Sequence, residues 1–406
     1  MNLRHIKKIL RDTDYVHTGG SAEELRAAEY LKAEAEAMGL NAWLEPFPVQ
    51  MADLNSYSLE ADGVSVPCIG YKNCGSGEIE APFLYLASQD PVSLKAAAGK
   101  IVLIDGGLRH FGYHDLLDAG ALGFITYNGN VDFRDNDIDA KELRGFVAEG
   151  RKALAVNINA KDARRLVRNK TKTVKIAVDE TEYEGESRNV VAEIPGQTDE
   201  WIILSAHYDT VPLSHGAYDN MSGCIGLLQI MDRLRQGAPH RYGLRFVFCG
   251  SEERGLLGSK AYTAAHEEEL KKAVLNINLD MIGCLMGRFI ACVSAEENLV
   301  SFIKYFGCAR GFAVDPRSGV YSSDSTPFAD HGVPSLSFAR AMPGGQSNIH
   351  SRYDTMILLS EEQLREDGDF CADFTAFMAD AANCPVKREI PDKIRDELDK
   401  YLNRKR

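Results

Sequence analysis

Four apolar runs frame this chain: WIILSAH (201–207), LRFVFCG (244–250), VLNINLD (274–280) and PSLSFAR (334–340). They alternate with long stretches of helical spacing, such as 222–236 and 360–382. Apolar strands separated by helices predict an α/β layered sheet. Sheets of this kind place their chemistry just beyond the strand ends, and that is where the polar residues stand. The first run leads into AHYDT, whose His207 and Asp209, two apart, face the same way on a strand. The second empties into Glu252 and Glu253, adjacent carboxylates that repel each other and are costly to bury unpaired. The third carries Asp280 into its loop, GAYDNMSG offers Asp219 before a helix, and NIHSRYDT offers His350 in a polar loop.

Taken singly, each of these residues has an ordinary structural use; Asp219 or Ser222, for example, can cap a helix. Three carboxylates and two imidazoles converging on one sheet edge point further. Five nitrogen and oxygen ligands without a thiolate suit two divalent ions, zinc first among them. Paired ions of this kind share a bridging carboxylate in many hydrolases. The adjacent glutamates then make sense: a metal neutralises one, and the other stays free to take a proton from water. Asp209 is placed to fix the tautomer of a metal-bound His207.

The rest of the chain bounds the function. SAEELRAAEYLKAEAEAMGL reads as a complete helix, with Ser21 as cap, Glu24 closing a capping box and Gly39 as stop. A strand, NAWLEPFPV, follows. Residues 52–185 change rhythm to short strands at 99–105, 123–128, 153–159 and 173–179, with one short helix in HDLLDAGA and a loop over 131–150. This is a mostly β unit inserted into the α/β body. The tail, 389–406, is a charged helix whose stripe of Ile390, Ile394, Leu398 and Leu402 fits packing on the chain's own body. With 406 residues the chain fits about two domains. A net charge of −13 disfavours nucleic acid and anionic lipid as partners. No window has the length of a membrane-spanning helix and the N-terminus lacks a signal-peptide pattern, so no membrane is expected. Nine cysteines without a Cys-x-x-Cys pair read as reduced thiols, hence an expected cytoplasmic location.

SAHYDT, GAYDNMSG, SEERGLLGS, NLDMIG, SDSTPFADHGVPS and IHSRYDT, in this order, resemble the co-catalytic di-zinc aminopeptidases, metallopeptidase family twenty-eight. AAAGKIVLIDGG and LLDAGALGFITYNG resemble the protease-associated domain inserted in that family. The resemblance implies a three-layer zinc-exopeptidase-like mixed sheet flanked by helices, with 1–51 and 186–388 as the catalytic domain and 52–185 as the insert. It implies two zinc ions per chain, with cobalt or manganese as substitutes. His207 and Asp280 would hold one ion, Glu253 and His350 the other, and Asp219 would bridge them. Glu252 would be the general base, Asp209 the partner of His207, and Asp324 would line the site and meet substrate. A cis peptide is implied at Asp219–Asn220. Some members place a tyrosine before the last histidine; here that position is Ile349, which leaves the oxyanion donor unassigned. The expected activity is release of N-terminal residues from a peptide substrate. A carboxypeptidase, a glutaminyl cyclase and a non-catalytic receptor-like scaffold of the same fold stay open, as do a homo-oligomer and the role of the insert.

Overall fold

The structure is a computed structural model and describes residues 1–129, 132, 137–237, 239–344 and 349–406. The chain forms two compact units, Met1–Val49 with Glu186–Lys405, and Gln50–Gly185, with Arg406 grouped with the second. Both boundaries fall inside long strands, Asn41–Ala61 and Thr173–Ile194.

The larger unit is built on one sheet. Its strands are β1 (Thr173–Ile194, by its C-terminal part), β2 (Trp201–His207), β3 (Gly243–Cys249), β4 (Ala273–Leu279), β5 (Arg288–Ser294), β6 (Asp315–Ser318) and β7 (Ser335–Ala341). The order across the sheet is β6-β5-β7-β4-β2-β3-β1. The centre is parallel: β2 pairs with β3 and β4, and β4 with β7. β1 runs antiparallel to β3 and β5 antiparallel to β7, while β6 is parallel to β5. The α/β layered sheet expected from the apolar runs is thus present, and it is mixed, as the resemblance implied. β5 and β6 extend it beyond those runs.

Period-two alternation divides the core. Ile202, Leu204, Phe246 and Phe248 join one cluster with Ile6, Leu31, Leu228 and Phe374 from the helices Leu3–Asp12, Ala22–Ala37, Ser222–Leu234 and Glu361–Ala379. Ile203, Val247 and Cys249 point the other way and meet Tyr262 and Phe328. His207 has the parity of Ile203, so its ring emerges on this second face. Beneath it runs a buried polar ladder: Ser205 Oγ donates to Asn278 Oδ1 (2.8 Å), whose amide donates to Ser323 Oγ (2.9 Å). Satisfied polar groups under a site fix its floor without leaving an orphan charge. The tail helix Asp392–Tyr401 packs Ile394 and Leu398, with Ile390 just before it, against Ala329 and Val320 of the same unit; Leu402 is only half-buried.

The smaller unit has its own apolar core. Gly77–Leu86, Ile101–Ile104, Gly123–Asn128 and Leu154–Asn159 pair in parallel succession. Helices His110–Asp118 and Ala160–Arg168 follow two of these strands. Parallel strands need crossovers, so this unit carries more helix than the mostly β reading expected. The loop expected over 131–150 lies partly outside the described residues. No described helix is long and apolar enough to cross a membrane.

Candidate metal centre

The parallel register brings the polar residues together. His207 is level with Cys249, so the Gly250–Glu253 turn leaves β3 beside it. β4 ends at Leu279, and Asp280 continues the ladder by donating its N–H to Phe338 O (3.0 Å). Asp219 precedes the helix Ser222–Leu234, which approaches the end of β4 so closely that a Cβ on Gly223 would lie 2.3 Å from Leu279 O. The Asp219–Asn220 peptide is cis. Ser251, Met281 and His350, all non-glycine, have φ of +53°, +65° and +60°. Left-handed residues of this kind persist where surrounding contacts over-determine them, and they gather at functional sites.

Two triads result, His207–Asp219–Asp280 and Asp219–Glu253–His350, each with its ligand atoms within 4.8 Å of one another. His207 Nε2 lies 3.1 Å from Asp219 Oδ1 and 3.7 Å from Asp280 Oδ1. His350 Nε2 lies 3.2 Å from Asp219 Oδ2 and 3.3 Å from Glu253 Oε2. Asp219 therefore turns one oxygen to each imidazole, as a bridging carboxylate must. The donor set fits divalent ions of the zinc class: nitrogen and oxygen atoms gather, while the nearby Cys224 thiol donates to His207 O (3.0 Å). Among the described residues, Asp280 Oδ1 is buried with no hydrogen-bond partner, a cost that a bound cation would remove. In the smaller unit, His110, His114 and Glu149 also cluster. There both His114 nitrogens are already engaged, Nε2 with Val147 O (3.1 Å) and Nδ1 with the Arg151 guanidinium (3.2 Å).

Burial and like charge set the electrostatics. Burial pushes the Glu252 carboxyl well above the usual carboxylate range, and Glu253, Asp324 and Asp280 add to it against the pull of His207. For Asp219 burial acts the same way, but the His207 and His350 bonds outweigh it and hold the group low. Burial alone would depress His207; Glu252, Asp209, Asp219 and Asp280 together raise it well above its ordinary value. A metal would take over the work of these protons.

Three further carboxylates hold the ligand loops. Asp209 stands beside His207, with its Oδ1 3.6 Å and its backbone carbonyl 3.3 Å from Nδ1, and its buried carboxylate also accepts from Glu252 N (2.7 Å) and Glu253 N (3.2 Å). Asp354, unassigned from sequence, accepts from Tyr218 N and Asp219 N, both at 2.9 Å. Burial first and Asp219 second push it up to about 7. Its only sequence signal is its place four residues after His350. Glu24 is the third. Ser21 Oγ caps the helix by accepting Glu24 N (3.0 Å), but the Glu24 carboxylate does not close the expected box on Ser21; it turns inward. Asp324 also departs from expectation. It is fully buried, pushed up to about 6 by that burial and facing His207, Asp280 and Asp209, so it underlies the ligands and does not line a substrate cleft.

Residues 189–375 match the sequence profile of Peptidase family M28. Aminopeptidase YwaD of Bacillus subtilis (strain 168) is 31% identical over 206 residues, 48% of this chain and 45% of that protein. Leucine aminopeptidase 2 of Arthroderma otae is 30% identical over 252 residues, 57% of this chain and 44% of that protein. The chain thus spans under half the length of these curated relatives. The solved structure of a zinc aminopeptidase from Bacillus subtilis superposes with a TM-score of 0.78, covering 97% of this chain and 98% of that one at 22% identity, which shows a shared fold.

Proposed function

We propose that this chain, whose residues 189–375 match the profile of Peptidase family M28, is a di-zinc aminopeptidase of that family. The observation that carries the reading is the pair of triads joined through the two oxygens of Asp219. His207 and Asp280 would hold one ion, Glu253 and His350 the other, with Asp219 between. When bound, such ions supply Lewis acidity that polarises the scissile carbonyl and acidifies water. The chain's own residues do the rest. Glu252, next to a ligand but outside both triads, has a side chain 11% exposed and a carboxyl held proton-hungry by burial. It takes a proton from the attacking water and gives it to the leaving amide nitrogen as the C–N bond breaks. Asp209 and Asp354 keep the loops in place through backbone N–H bonds.

Polarity of cleavage follows from charge. The carboxylates around the centre suit a substrate α-ammonium group. A terminal carboxylate would call for an arginine fork. Arg340, the arginine at the end of β7, is spent on Asp367, its Nη2 at 2.6 Å and its Nε at 2.8 Å, and on Gly287 O. Free and N-acetylated peptides should separate the two cases. Acetylation removes one charge-assisted contact, worth about 1.5–3 kcal/mol, so kcat/KM should fall at least about tenfold. Equal rates on both, with loss on C-terminal amidation, would make the chain a carboxypeptidase. The Gln50–Gly185 unit is, on the same reading, the family's protease-associated insert.

A further inference from the structure

Glu24 lies outside the matched residues 189–375, on the N-terminal helix Ala22–Ala37, yet its side chain is buried against the centre's acidic turn. Oε1 accepts from Ser251 N (3.0 Å), Ser251 Oγ (3.3 Å) and Ser187 Oγ (2.8 Å). Oε2 accepts from Gly20 N (2.7 Å). Ser251 is the left-handed residue directly before Glu252. Three successive amides, of Ser251, Glu252 and Glu253, thus end on two buried carboxylates, Glu24 from one side and Asp209 from the other.

The fit leaves little room for adjustment. A Cβ on Gly19 would lie 2.3 Å from Ser251 Oγ, and one on Gly250 would lie 2.9 Å from Glu24 Oε1. The same N-terminal stretch grips the neighbouring loop: Thr18 bridges Thr210, and Thr210 N donates to His17 O (3.2 Å). A cap of the helix alone needs none of this. Ser21 already caps it, and the Glu24 carboxylate reaches past it to a turn more than two hundred residues away.

We infer that Glu24 is a positioning residue: its carboxylate holds Ser251 in the left-handed conformation and so fixes where the carboxylate of Glu252 stands. The inference rests on the reading of Glu252 as general base. Its loss should lower turnover while sparing substrate and metal binding, since neither triad includes it.

The test is Glu24→Gln in the full-length, metal-loaded protein, with Ser187→Ala as control. Ser187→Ala removes a donor to the same oxygen and, although Ser187 Oγ packs against Gly250, leaves the acceptors of the Ser251, Glu252 and Glu253 amides in place. Glu24→Gln should lower kcat about tenfold or more, because a small displacement of a reacting group is costly, with KM and metal content as in the wild type. Exchange of the Ser251 amide should quicken about tenfold as its acceptor weakens. Ser187→Ala should keep wild-type kcat. Should Glu24→Gln fail to fold, Glu24→Asp, which withdraws the acceptor oxygens by one methylene, should give the same pattern. A wild-type kcat with a protected Ser251 amide in the Glu24 variant overturns the inference. So does an equal loss of kcat in Ser187→Ala. If the wild type cleaves no peptide, the aminopeptidase reading fails, and the exchange rate of Ser251 alone decides whether Glu24 holds the turn.

Discussion

His207 and His350 bring their Nε2 atoms to 3.1 Å and 3.2 Å from opposite oxygens of Asp219, yet their surroundings differ. His207 is 1% exposed, at the end of a central strand between two parallel neighbours; His350 is 46% exposed, on a loop. The inner triad is part of the sheet's own architecture. The outer one is closed by a loop over a finished surface. The register of β2 places the first imidazole, while the second is carried by a left-handed loop residue. An inner ion is accordingly expected to bind the more tightly, and the outer half to be the one that opens to substrate.

The largest effect should come from the residue that stands between the halves without belonging to either. Glu252→Gln should keep both ions and lower kcat at least about 10²-fold, roughly 2.7 kcal/mol in the barrier. Loss of an ion in that variant would make Glu252 a ligand and dissolve the distinction between base and triads. The next largest concerns the support of Asp219. Asp354→Ala leaves two buried amides without an acceptor, at about 1–3 kcal/mol each. Denaturant unfolding of the metal-free protein should show that loss, whereas removal of the half-exposed Asp399 carboxylate, paired with the solvent-facing Arg404 at 3.5 Å, should leave stability within about 0.5 kcal/mol.

Acidity gives a third and smaller contrast. Burial pushes Glu24 up to about 8, Asp354 to about 7 and Asp324 to about 6. Unfolded, these groups release their protons near pH 4. Between those values the folded chain binds more protons than the unfolded one, so stability falls as pH rises. His207, raised by its carboxylate neighbours although burial opposes it, acts in the same direction above its ordinary value. The melting temperature of the metal-free chain should therefore fall from about pH 4.5 to about pH 8, and added zinc should flatten the slope by favouring the ionised forms. A slope unchanged by zinc would place these groups away from the centre.

The sequence carried the sheet's central strands and the residues at their ends because both obey one rule: apolar runs buried by helices, chemistry beyond their tips. β2, β3, β4 and β7 were legible for that reason. β6, DPRS, was not, since an edge strand of polar residues has no apolar run to mark it. The helix Ala160–Arg168 hid behind the strand before it and its own run of charges. At the centre, residue types were legible and individual atoms were not. Spacing put Asp209 beside His207, but only the fold shows that the same carboxylate, 3.6 Å from the ring, also holds the next loop. Glu24 had a sufficient local explanation as half of a capping box, and that hid its long-range role. Asp324 looked like a wall of the cleft because sequence gives position along the chain and not depth below the surface.

The bound ions can be counted directly. Metal analysis after extensive dialysis, on the wild type, His350→Ala and Asp219→Ala, tests the two-triad account at its shared atom pair. Two ions are expected in the wild type, one in His350→Ala, which keeps the inner triad, and a disturbance of both in Asp219→Ala. One ion in the wild type, or two retained in Asp219→Ala, would contradict it.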